Sequence, residues 1–408
     1  MSALLRFSGL WVILACGVSL RAQQVPLSLT AAVEEALKKY PAVRVSLEQV
    51  AAAAAGINLA RTAYLPRADF LAQINRATRN NVFGLMLPQP VISSISGPVL
   101  GTNNLTNVWG SAVGVLVSWE PFDFGLRQAN VEAAESARKR AEAAVGVTRL
   151  QVATAAADAF LTILAAGQIV HAADAGVERA RVFHQAVDAL VKAELRPGAE
   201  AARARAEVAL AETQRIQAEQ ALAVARASLA QLVGAAPATI QVEPGRLLES
   251  QPDAPLESAR LAEHPSAREQ SLAIDEVKAR EHALNRSYFP RFNLQATTYA
   301  RGTGARPDGT TGGPFSGFGP NIQNWALGMT VMFPALDLAS LRARRSIEAH
   351  RERAEAARYD RLLADLTGQF EKANASLTGA RRVAAHTPVA LDAARAAEQQ
   401  AAARYRAG

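Results

Sequence analysis

The chain has 408 residues and a net charge of +7 from 44 basic and 37 acidic side chains; half of it is hydrophobic but only 6% aromatic. Alanine dominates the apolar half, which excludes an ordinary core of aromatic and branched aliphatic residues and points to long, closely packed helices. Beyond the first 22 residues no apolar run approaches the roughly 20 residues of a membrane helix, which excludes a helical inner-membrane transporter, and acids among the bases, as at Arg138, Lys139, Arg140 and Glu142, exclude a nucleic-acid track.

Residues 1–22 read as a secretory signal peptide, with Arg6 as the charged start, Leu10 to Ala15 as the apolar stretch and cleavage after Ala22. The alternative is lipidation at Cys16, the single cysteine, after Ile13-Leu14-Ala15. Two helices are expected between Thr30, as N-cap, and Ala63, divided at Tyr40-Pro41 and ended by Pro66.

The period then changes. Ala68, Phe70, Ala72 and Ile74 alternate with Asp69, Gln73 and Asn75, so a strand is expected over about 67–77. A second, over about 108–120, puts Trp109, Val113, Val115, Val117 and Trp119 on one face and Gly110, Ala112, Gly114 and Ser118 on the other. A helix of unusual length is expected over 124–194, then a turn at Leu195-Arg196-Pro197-Gly198 and a return helix over 199–233, closed by Gly234. Residues 235–256 are Pro-rich and read as a linker between a first unit, 23–234, and a second, 257–408. The second unit contains strands over about 291–300 and 322–333, where Trp325, Leu327, Met329, Val331 and Phe333 oppose Asn324, Ala326, Gly328 and Thr330.

Four strands with large residues on one face and small or polar residues on the other suit either hairpins on a soluble core or part of a transmembrane β-barrel. Trp109 and Trp119 share a face and lie ten residues apart, about 33 Å of strand. Tilted by ~40°, that separation spans about 25 Å, the height of an outer-membrane apolar band with aromatics at its edges. Trp109, Trp119, Trp325 and Phe333 are therefore expected as a lipid-facing aromatic girdle, and Gln295, Thr297, Asn324 and Thr330 toward a lumen. Single-chain barrels start at about eight strands, so four per chain require an oligomer.

The chain is also duplicated. Tyr40-Pro41-Ala42-Val43-Arg44 returns as His264-Pro265-Ser266-Ala267-Arg268, and at the same offset Tyr64-Leu65-Pro66-Arg67 returns as Tyr288-Phe289-Pro290-Arg291. Tyr64-Leu65-Pro66-Arg67 entering a strand, with Trp119-Glu120-Pro121-Phe122-Asp123-Phe124-Gly125-Leu126-Arg127 leaving one, resembles the TolC-like outer-membrane efflux protein family; the second copy, Phe333 to Arg342, needs one inserted residue. The resemblance covers essentially all of the mature chain.

It implies an α+β membrane protein, with long antiparallel helical hairpins forming an α-barrel tunnel and two β-hairpins per chain in a homotrimeric, twelve-stranded β-barrel. It implies a passive outer-membrane conduit with a periplasmic extension, in a tripartite efflux or type I secretion system. The partners implied are a periplasmic adaptor (membrane fusion) protein, an inner-membrane pump of RND, ABC or MFS type, and outer-membrane lipid. Arg196, Pro197 and Gly198 match the family's adaptor-docking helix tip, as do Tyr405 and Gly408 in the second repeat. Some members place an acid of the gate six positions beyond this glycine; here Ala204 stands there, leaving Glu200 and Arg203 as nearby charges.

The second repeat reaches its turn glycine only at Gly408, so a return helix is expected to be missing after it. No enzyme chemistry is expected: the six histidines lack metal spacing, and His171 with Asp174 and His184 with Asp188 read as surface pairs one turn apart. Gly302-Thr303-Gly304 with Gly312-Gly313 lies between strands, opens no helix and reads as a flexible extracellular loop rather than a phosphate cradle. No catalytic, cofactor-binding or metal residue is assigned, and no nucleic acid is expected as a partner. The competing reading is an exported coiled-coil structural protein without conductance.

Overall fold

The computed structural model describes residues 26–78, 106–249, 260–306, 308, 310–333 and 337–407, with backbone alone at 77–78, 402 and 405–407. The expected leader, most of the first hairpin's loop, and Gly408 lie outside the described residues. The elements are α1 (Leu29–Lys39), α2 (Pro41–Thr62), β1 (Arg67–Thr78), β2 (Asn107–Phe122), α3 (Leu126–Lys192), α4 (Gly198–Val233), α5 (Pro265–Arg286), β3 (Arg291–Thr303), β4 (Ile322–Met332) and α6 (Leu338–Ala407). They fall into two compact units.

One unit holds α1, α3 from Gln151 onward, α4 and the segment after it. Ser28 caps α1, accepting a hydrogen bond from the Ala31 N–H at 3.2 Å; the expected cap, Thr30, lies inside the helix. The hydroxyl two residues earlier wins because its backbone is extended, as a cap requires. α1 ends where Tyr40 takes the extended backbone that a following proline favours. In α4 the buried positions Ala204, Ala218 and Ala225 repeat at multiples of seven, a coiled-coil seam of small residues. Phe160 of α3 and Leu229 of α4 are fully buried. Gly234, with φ 65°, ends α4 in the left-handed conformation. The segment read as a linker is partly built: a 3-10 turn spans Pro237–Thr239, and Val242 makes a parallel bridge with Leu27.

α3 corrects one expectation. It contains an 18-residue window of mean hydropathy 1.5, long and apolar enough to cross a membrane by length and composition, of which 33% is buried. Many alanines raise the average without forming an unbroken run of large apolar residues.

The other unit holds α2, α3 up to Leu150, α5, α6 and a four-stranded antiparallel sheet of order β1-β2-β3-β4. α5 packs through Ala267, Ala273, Val277 and Ala283, small residues that allow close approach. Glu276, also buried, accepts from Arg140 of α3 at 3.2 Å, while Arg140 reaches Glu269 of α5 at 2.7 Å. The hydrogen bonds that Arg140 donates to Glu269 and Glu276 outweigh burial and raise its pKa, keeping the guanidinium charged.

Candidate functional site

The sheet is patterned oppositely to a soluble one. Its register places Phe70 opposite Val115, Val115 opposite Thr298 and Thr298 opposite Trp325, so these four share a face. On that face Phe70 is 71% exposed, Trp325 78%, Leu327 65% and Met329 67%. Along β4 exposure alternates with period two, and the exposed positions are the large apolar ones. On the opposite face Gln295 and Thr297 are buried, Asn324 and Thr330 half-buried. The Thr297 hydroxyl donates to the Val115 carbonyl at 3.1 Å, and the Asn324 amide donates to the Ile322 carbonyl at 3.0 Å. Asn293 pairs with Thr330, and Gln295 with Gly328, so all four residues assigned to a lumen lie on one face.

The two ends of the apolar face carry aromatics. At one end Trp109 meets Phe318 of the β3–β4 loop edge-to-face at 5.5 Å, with the Arg76 guanidinium 5.3 Å from its ring. At the other, the Trp119 indole donates to the Tyr64 carbonyl at 3.1 Å. Phe124 stacks on Phe289 at 5.5 Å and approaches Phe122 and Phe292. Trp325 is level in register with Val115, midway along β2, and Phe333 lies just beyond the end of β4. Phe122, Phe124, Phe289 and Phe318 escaped the sequence reading because a turn or loop, where period two does not apply, places most of them.

The β3–β4 loop is folded rather than open. The Gly304 N–H donates to the Trp109 carbonyl at 2.9 Å, and Ala305 bridges to Thr311. Gly317, at φ +88°, sits so close that an added Cβ would lie 2.2 Å from the Trp109 carbonyl oxygen.

Where β2 becomes α3, the chain makes a buried charged corner. Phe124 and Gly125 both have positive φ, and the Asp123 carboxylate accepts from the Gly125 N–H at 3.2 Å and the Arg127 N–H at 2.7 Å. The Arg127 guanidinium pairs with Asp123 at 2.9 Å and donates to the carbonyls of Ala63 and Pro121. It lies 4.7 Å from the Tyr64 ring centre, so β1's entry is tied to β2's exit. Burial pushes the Asp123 carboxyl upward, but hydrogen bonds from Arg127 and Gly125 outweigh it and hold the pKa below the ordinary 3.8. The signal was legible as an Asp capping a helix with Arg four positions on.

The helix tip is simple. Pro197 is the cap residue of α4, Gly198 its first residue, and Arg196 pairs with Glu200 at 2.6 Å. Glu194 takes a positive φ and Leu195 is 71% exposed. Ala204 is 1% exposed, and Arg203 faces Glu207 at 3.9 Å, so the charges near the turn are used along α4 itself. Tyr405 lies in the last turn of α6, its side chain outside the described residues, and Gly408 lies outside them altogether. Asp188, expected beside His184, is held below the ordinary carboxylate range chiefly by a hydrogen bond from Lys192. Among the described residues no group of three or more His, Cys, Asp and Glu could hold a metal ion.

This architecture recurs in solved structures. A membrane protein from Pseudomonas aeruginosa matches 93% of this chain and 83% of its own with a TM-score of 0.72 at 19% identity. The outer membrane protein VceC of Vibrio cholerae matches 93% and 86% with a TM-score of 0.65 at 18% identity. In sequence, Protein CyaE of Bordetella pertussis (strain Tohama I) is 29% identical over 222 residues, 54% of this chain. The match spans less than half of that relative, 43% of its length. Residues 32–235 match the outer membrane efflux protein family, half of the chain, from within α1 to just past the end of α4. The chain belongs to the outer membrane efflux protein family.

Proposed function

We propose that three copies of this chain close a twelve-stranded barrel across the outer membrane. Their long helices continue it as a periplasmic tunnel, so that the assembly acts as a passive conduit of a tripartite efflux or type I secretion system. The observation that carries this is the inverted sheet: large apolar side chains exposed along one face, with Gln, Asn and Thr on the other. A membrane rewards that arrangement and water does not. Among the described residues β1 pairs only with β2, and β4 only with β3, so one edge of each has no strand partner there. In lipid every backbone polar group needs a partner, which the neighbouring copies supply.

Trp109 and Trp119, with the phenylalanines near each end, then serve as girdles, and Trp325 and Phe333 also face lipid. Gln295, Thr297, Asn324 and Thr330 line water. The turn at Arg196-Pro197-Gly198, with Tyr405 and Gly408 of the second repeat, receives the periplasmic adaptor, which joins the conduit to an inner-membrane pump of RND, ABC or MFS type. Energy comes from the pump, and the chain's own work is conduction rather than catalysis. Light scattering of the detergent-purified full chain tests the assembly: the expected protein mass is three times 43.2 kDa, and a monomer would refute the closure.

A further inference from the structure

Charge is divided unevenly between the two ends of the sheet. At the end nearer the helices both signs occur together: Arg67 pairs with Asp69 at 3.1 Å, and Arg291 lines one cavity with Asp337 and Glu348. Farther along the strands the acids stop. From Phe70 to Trp119 and from Phe292 to Leu336 the sequence holds Arg76, Arg79, Arg301 and Arg306 against one carboxylate, Asp308. Each chain therefore carries an excess of three positive charges over its two hairpins. Asp308 is itself engaged, accepting from the Thr310 N–H at 2.9 Å and the Thr310 hydroxyl at 2.7 Å. Those bonds, and then the neighbouring Arg306 charge, hold its pKa below the ordinary 3.8.

The pairing register assigns these arginines to faces. Arg76 is the partner of Trp109 on the apolar face, and its guanidinium stays over that ring, 5.3 Å from the centre. Arg301 lies between Ala112 of β2 and Ile322 of β4, on the face of Gln295, Thr297 and Asn324. It is half-buried and makes no ion pair among the described residues. Beside it β2 presents Gly110, Ala112 and Gly114, none long enough to cover or pair with a guanidinium. Among the described residues the nearest carboxylate on this face is Asp69, level with Thr297 through Leu116. Four residues of strand separate that level from Arg301, about 13 Å. That exceeds the ~8 Å over which charge acts at physiological salt, and Asp69 is already matched by Arg67.

We propose that the barrel passes anions in preference to cations, and that Arg301, repeated in three copies around the lumen, sets that preference. The selectivity rests on the trimeric channel reading, which turns the polar face inward. Closure then brings three guanidiniums to one level, with Gln73, Tyr299 and Asn324 as neutral neighbours on the same face. A ring of arginines favours anions in a pore, and low-dielectric walls focus its field into the water between them. Solutes bearing carboxylate or phosphate groups are the class so favoured. Organic cations instead meet three uncompensated positive charges on the way out.

The test is the reversal potential of the full chain in planar bilayers under a gradient of potassium chloride. Chloride is expected to permeate about threefold better than potassium, the effect of one unit charge acting across about 6.5 Å of water. The ratio should fall toward one as salt is raised and the ring is screened. Arg301→Gln should abolish the preference, Arg301→Glu should reverse it, and Arg301→Lys should keep it. Arg76→Gln removes the same charge from the apolar face and should leave the ratio unchanged, which separates a lumen charge from net charge. Equal permeability or a potassium preference in the unaltered protein, which needs no variant to fold, would overturn the proposal. So would a chloride preference that survives Arg301→Glu in conducting trimers. Inserted trimers that pass no current would instead refute the channel reading, and the selectivity with it.

Discussion

Arg127 shows what one charged side chain can do when water is kept from it. Its guanidinium and the Asp123 carboxylate are each about nine-tenths buried, so neither can be removed without stranding the other. Replacing Arg127 with Ala is expected to cost about 3–5 kcal/mol, as for other broken buried pairs, and to lower the temperature at which the folded protein is lost. Acid should act on the same corner. The depressed Asp123 pKa means that its stabilisation is fully present above the ordinary value of 3.8 and is lost as pH falls through the folded value. Asp123→Asn should therefore be less stable at neutral pH and less sensitive to acid in that window; equal acid sensitivity of the two proteins would disconnect the corner from acid unfolding.

At the scale of elements, the strands and long helices were legible because each declares a period. Ala68, Phe70, Ala72 and Ile74 alternate, and the proline-free stretch containing α3 never does. What was not legible depends on contacts between distant residues. β3 runs on to Thr303 because the loop after it folds back, Gly304 onto Trp109 and Asn321 onto Arg301. Trp325 was placed by its face, but only the pairing register shows it level with Val115.

Two substitutions probe these elements. Gly317→Ala places a Cβ 2.2 Å from the Trp109 carbonyl oxygen at a positive φ, and should detach the loop. Faster proteolysis between Gly304 and Asn321 with the strands intact is the expected result. Val115→Arg puts a charge on the apolar face at a cost of about 2–4 kcal/mol in mid-membrane, while Thr330→Arg puts one on the polar face. The first should sharply reduce the yield of heat-modifiable trimer and the second should not; equal yields would reverse the face assignment.

At the scale of the whole molecule, a sheet with an exposed apolar face continues into long Ala-rich helices. Most of that contrast was readable from residue spacing, since Ala-rich helices and inverted strands use different periods and different apolar residues. The corner charges leave only the capping spacing of Asp123 and Arg127 in the sequence; the Ala63 carbonyl and Tyr64 ring that complete the corner come from a distant segment and leave none. Conductance of the purified full chain in planar bilayers tests the central claim most directly. The account predicts discrete, long-lived conductance steps, absent from a parallel preparation of Val115→Arg. Folded trimers that insert into the bilayer and pass no current would contradict it, leaving an exported coiled-coil assembly in its place.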